Sequence, residues 1–138
     1  MALNPLPSGT DDFLEATTVE LAASSAAADP LAWLGASPGD TWFWEVPEDD
    51  VAWVGLGRAA SAEPAGEERF ADAALAAERI LDRLTADAPD GAPLPRLAAG
   101  FAFDDTAPPG PWTPFGDGRL VLPAVQVLRR NGRTWVTR

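Results

Sequence analysis

Four residue types that carry much of protein chemistry are missing from this chain: its 138 residues include no histidine, cysteine, lysine or tyrosine. Without histidine there is no side chain whose ordinary pKa lies near neutrality. Without cysteine there is no thiolate nucleophile, no disulfide and no soft metal ligand, and without lysine no amine nucleophile. Carboxylates, arginines and hydroxyls are what remain. Long apolar runs are missing too: no stretch approaches the roughly 18 residues that span a bilayer. The first ten residues lack the basic and apolar regions of a signal peptide. A cytoplasmic location is the expectation, although bacterial secreted proteins share the lack of cysteine.

What is present is acid and apolar surface. Ten arginines stand against twenty-one acidic residues, a net charge of -11. Such a surface repels nucleic-acid phosphate and anionic lipid, so neither nucleic acid nor membrane is expected as a partner. Arginine used to the exclusion of lysine, beside abundant alanine, fits the codon bias of a GC-rich genome or a salt-adapted surface. With 46% hydrophobic residues the chain is long and apolar enough for one folded domain. Residues 1–12 read as a flexible leader and 13–138 as a single domain.

Residues 13–21 (FLEATTVEL) carry a β-branched run and read as a first strand. Asp29 followed by Pro30 is a helix start, opening a short helix that ends near Gly35. Residues 41–46 (TWFWEV) and 51–57 (VAWVGLG) flank the turn residues Pro47, Glu48, Asp49 and Asp50, which predicts a hairpin. Both faces of that hairpin carry apolar groups, so it is expected between two layers. Residues 61–67 read as a small-residue linker. Phe70, Ala73, Ala77, Ile80 and Leu84 recur at helical spacing and predict one long helix over 68–84. Residues 96–103 read as a strand and 104–118 as a long connection. A last strand from Arg119 to Leu128 enters an Asn131-Gly132 hairpin turn, whose register sets Leu128 against Trp135 and Val127 against Val136. The strand entering that turn has about twelve residues and the one leaving it has six, so the expectation is part of something larger. No internal repeat and no second core are visible.

Three acid pairs could serve as general acid–base dyads: Asp11-Asp12, Asp49-Asp50 and Asp104-Asp105. The first falls in the leader and the second in a turn, where both are solvated. Asp104-Asp105 closes a strand at a loop entrance, the better place for function, but adjacent acids there are commonly turn formers. Six tryptophans, at 33, 42, 44, 53, 112 and 135, could stack a sugar or planar ligand, or fill a core otherwise rich in alanine; the core is the expectation. Gly55-Leu56-Gly57 lacks the third glycine, the lysine and the following helix of a phosphate loop, and reads as a strand bulge. No metal-ligand spacing occurs. No catalytic, cofactor-binding or metal-binding residue is therefore assigned.

The final third carries a resemblance. GFAFDD (residues 100–105), then PWTPFGDGRLVLPAVQVLRRNGRTWVT (residues 111–137), is similar to the middle of isochorismate synthases, members of the chorismate-utilising family that includes salicylate and anthranilate synthases. That family shows a GGFSFD strand, a proline-rich connection, an FVLP strand and a hairpin with a TWLT-like return. Leu120, Val121, Leu122, Pro123, Asn131 and Gly132 fall in that order. Upstream, TWFWE (41–45) and VAWVGLGRA (51–59) resemble the family's FYWE and VAGLGRA segments, and Ala102 stands where the family often has serine.

The resemblance implies an α+β fold: a largely antiparallel sheet with one long and one short flanking helix, part of an α/β sandwich like that of anthranilate synthase component I. It implies an N-terminal, non-catalytic portion of an isochorismate synthase. The family's catalytic lysine and glutamates and its Mg²⁺-binding glutamates match no position here, so no cofactor is assigned to this chain. The expected partners are the catalytic remainder of the same enzyme and, through an exposed sheet face, a second copy. A free-standing tryptophan-rich module binding a small molecule or glycan is the alternative, and a hydrolase built on Asp104 and Asp105 a weaker third.

Overall fold

The computed structural model describes residues 13–104 and 110–138, so the expected leader and Asp11-Asp12 lie outside the described residues, as does Asp105. The chain forms β1 (Leu14–Leu21), β2 (Thr41–Val46), β3 (Val51–Leu56), β4 (Ala60–Ala62), α1 (Arg69–Asp82), β5 (Leu84–Asp87), β6 (Ala98–Phe101), β7 (Gly118–Leu122), β8 (Val125–Arg130) and β9 (Arg133–Thr137), with short 3-10 turns between. Six strands make a large sheet in the order β2-β3-β8-β9-β1-β5, and three make a small one, β4-β7-β6. Every pairing among the described residues is antiparallel except β1 with β5. This is an α+β architecture that fits an α/β sandwich, as expected.

Both expected hairpins form, the second in the expected register. Trp44 stands opposite Trp53 across the first turn, and Leu128 opposite Trp135 with Val127 opposite Val136 across the second. Asn131 and Gly132 adopt φ of 51° and 72°, the left-handed values the second turn requires. Asp50, also left-handed at 49°, accepts a 2.7 Å hydrogen bond from the Gly132 N–H, so the two turns are clipped together. Asp49-Asp50 is thus a turn former, and Asp50 lies 3.6 Å from Arg129.

Alternation sorts the large sheet into two faces. One gathers Val54, Leu56, Val127 and Val136 into a buried cluster, with Leu21, Val125 and Trp33 packed on it. Trp33 comes from the short turn Pro30–Trp33, which Asp29 caps by accepting from the Leu31 N–H at 3.0 Å. The expected short helix is therefore a 3-10 turn, too brief for a second α-helical turn. The other face carries Trp53, Gln126, Leu128 and Trp135, all buried. β3 is enclosed on both faces as expected. β2 is an edge strand that leaves Trp44 67% exposed, so the two-layer expectation fails there.

Other expectations are corrected as well. The helix stops at Asp82, because Leu84 to Asp87 run as β5 beside β1, a long-range pairing that helical spacing cannot reveal. The 61–67 linker begins inside β4, and the 96–103 strand is ordered as β6 only over Ala98–Phe101. The 104–118 connection includes a 3-10 turn, Gly110–Phe115. The twelve-residue strand divides at Pro123 and Ala124 into β7 and β8, which belong to different sheets. A proline cannot donate to a ladder, so it sits where the chain changes sheets. The mismatch around the last turn disappears with it: five residues of β8 pair with all five of β9. A second buried cluster follows, in which Ile80 of α1 packs on Leu120 and Leu122 of β7.

Gly55 is not a bulge, since β3 pairs without interruption. It is a point of close approach. A Cβ there would lie 2.6 Å from Pro123 Cγ and 2.9 Å from the Trp53 ring, so the missing side chain is what lets Pro123 seat between the sheets.

Candidate functional site

The small sheet docks on the tryptophan-bearing face of the large one through a buried amide. Gln126 Oε1 accepts from Trp53 Nε1 at 3.1 Å and from the Arg96 backbone N–H at 2.9 Å. Both lone pairs of that oxygen are used, and the segment leading into β6 is held beside β3. Arg69 fixes the far end of β6. This buried guanidinium donates to Gly66 O at 3.0 Å and Ala102 O at 3.3 Å, and lies 4.7 Å from the Phe70 ring, which in turn contacts Phe101 at 4.8 Å.

Between edge strands β2 and β6 this leaves a groove with two adjoining cavities. The first, about 340 Å³, lies between Trp42, Trp44 and Trp53 on one side and residues 96–99 on the other. The second, about 760 Å³, is framed by Trp42, Phe101, Phe103, Trp112, Phe115 and Arg119. Trp42 borders both. Its indole N–H is buried and finds no acceptor among the described residues.

The charged groups near the groove are sparse. Asp40, just before β2, pairs with Arg58, whose hydrogen bond holds the Asp40 carboxyl below its ordinary range, with Arg119 adding to the effect. Arg119 lies 3.7 Å from the exposed Glu63 and donates weakly to Pro114 O at 3.4 Å. Asp104 borders the second cavity and is exposed. Far from the groove, Glu20 receives two hydrogen bonds from Arg133, at 2.8 and 2.6 Å, which hold its carboxyl below the ordinary value.

The candidates read from the sequence meet this geometry unevenly. Of the six tryptophans, Trp53 and Trp135 are buried, Trp33 and Trp42 partly so, and Trp44 and Trp112 are exposed. The core expectation holds for the first pair and fails for the last. Gln126, Arg96 and Arg119 drew no attention in the sequence. Only the division of the last strand at Pro123 would have signalled that Gln126 faces the second sheet. Among the described residues no three acidic side chains come together to hold a metal. No helix among them is long and apolar enough to cross a membrane.

The fold is an α+β sandwich with an aromatic-walled groove between the β2 and β6 edges. The chorismate binding enzyme family matches residues 10–138, and the chain belongs to that family. No curated protein matches it significantly. No solved structure does either.

Proposed function

We propose that this chain is the N-terminal scaffold portion of an isochorismate synthase, and that its β2–β6 margin docks the catalytic remainder. The observation that carries the reading is the margin itself. Two strands, each with an edge unpaired among the described residues, flank an apolar groove rimmed by Trp44, Trp112 and Phe115, each at least 60% exposed. Free edges and contiguous exposed aromatics are surfaces that proteins cover. The family-like segments support it: GFAF lies in and beside β6, VAWVGL forms β3, and Leu120 to Pro123 lead to the sheet change.

In such an enzyme, water would add at one ring carbon of chorismate as hydroxide leaves another; a bound Mg²⁺ would supply charge neutralisation. The product feeds menaquinone or catechol siderophore synthesis. No step of that reaction is assigned to a residue of this chain. Incubated alone with chorismate, with or without Mg²⁺, the purified chain forms no isochorismate. Mixed with the lysine- and glutamate-bearing portion of an isochorismate synthase it restores formation, and Trp44→Glu weakens that restoration. Turnover by the chain alone would falsify the scaffold reading.

A further inference from the structure

A separate cavity of about 390 Å³, sharing no residue with the β2–β6 groove, opens between the last turns of α1 and the edge strand β4. Ala76 and Ile80 of α1 and Ala62 of β4 give it an apolar lining, and Ser61 adds a hydroxyl. Two guanidinium groups, Arg79 and Arg83, border it together with Asp82.

These two arginines stand apart from most others in the chain. Ten arginines face twenty-one acids, and Arg58, Arg119, Arg129 and Arg133 each lie within 4.0 Å of a carboxylate. Among the described residues neither Arg79 nor Arg83 makes such a pair, even with the neighbouring Asp82. Arg83 Nε is buried and has no acceptor among them. The two side chains are four residues apart, the spacing at which like charges destabilise a helix. The negative end of the α1 dipole accounts for positive charge in this turn, but it leaves the buried Nε–H unsatisfied. An oxyanion between two planar guanidinium forks accepts that hydrogen bond and cancels the repulsion.

We infer that the α1–β4 cavity is an oxyanion site, in which Arg79 and Arg83 together grip one phosphate or carboxylate group beside Ser61. Two sources can supply that group: a free phosphate-bearing solute, or the chain's own acid pair Asp11-Asp12. Leu14 donates its N–H to Arg83 O at 2.9 Å, and Asp12 precedes Leu14 by two residues, roughly 7 Å of extended chain. The site is independent of the scaffold reading, because no residue of the β2–β6 margin enters it.

Inorganic phosphate is the probe, titrated at constant ionic strength into the full chain and into its Asp11→Asn/Asp12→Asn variant. The arginine Nε–H signals are followed in ¹⁵N–¹H spectra. If the occupant is a free anion, Arg79 and Arg83 shift saturably in both proteins while the exposed Arg130 stays unmoved. If the occupant is the acid pair, the parent ignores phosphate, whereas the double variant moves both signals by itself and acquires the phosphate response. Either result supports the site. In whichever protein responds, Arg79→Gln, on the exposed surface of α1, lowers phosphate affinity about tenfold and keeps the dispersion of the folded chain. Arg83→Gln does the same. Shifts at Arg79 and Arg83 no larger than at Arg130 would mean an adventitious ion only and overturn the inference. Indifference to Arg79→Gln, or silence of both signals to phosphate and to loss of the acid pair, overturns it equally. Success here alongside failure of the mixing experiment would retire the scaffold reading and leave this site standing.

Discussion

At the scale of single residues, the chain uses its few buried polar side chains to tie separate elements together. Gln126 serves two donors with one oxygen, Arg69 two carbonyls with one guanidinium, and Thr18 and Thr137 share a buried 2.8 Å hydroxyl contact across β1 and β9. Glu20 and Arg133 join β1 to β9 at the surface, and their effect depends on pH. The Arg133 hydrogen bonds lower the Glu20 pKa in the folded chain relative to the unfolded one. Its contribution to stability is therefore present above the ordinary glutamate pKa and is lost as pH falls through the lowered folded value. In urea titrations at low salt, Glu20→Gln is expected to be less stable than the parent at pH 7. The difference narrows as the pH is taken below the ordinary carboxylate range. A gap that stays constant down to pH 3 would show that the pair contributes nothing through ionisation.

Among the elements, those fixed by local chemistry were legible in the sequence and those fixed at a distance were not. The Asn131-Gly132 turn needs two left-handed residues, and Asp29-Pro30 caps and starts a turn by itself, so both could be read directly. The helix face from Ala73 to Ile80 was readable from spacing. β5 was not, because nothing in Leu84 to Asp87 announces the parallel neighbour at Leu14 to Thr17. The division of β7 from β8 had one local sign, Pro123, which a continuous apolar run concealed. The groove shared that fate: its aromatics were visible one by one, but their convergence depends on where β6 lands. The Pro123 crossing gives the element-scale prediction. Gly55→Ala places a Cβ 2.6 Å from a rigid pyrrolidine ring, which cannot swing away. A loss of about 1–3 kcal/mol is expected, as for other overpacked positions. Urea unfolding would show a lower midpoint with an unchanged slope.

For the whole molecule, two long-range properties oppose one another. A net charge of -11 keeps copies apart, while the exposed β2 edge and its tryptophan draw them together. The repulsion acts over a Debye length, about 30 Å at 0.01 M ionic strength and about 3 Å at 1 M. The contact between apolar edges is not screened. Sedimentation is therefore expected to show self-association that strengthens as salt is raised, and that Trp44→Glu reduces. Association that weakens with salt would mean that charge pairing, rather than the sheet margin, joins the copies.

The run from Gly118 to Arg130 is a rung in both sheets, with Pro123 as its corner. Tilting the three-stranded layer would turn this run like a crank and disturb the ladders β8 makes with β3 and β9. The width of the cleft and the packing of the central valines are thereby geared to each other. Whatever enters the cleft must accept its span as given, or move the middle of the protein to change it.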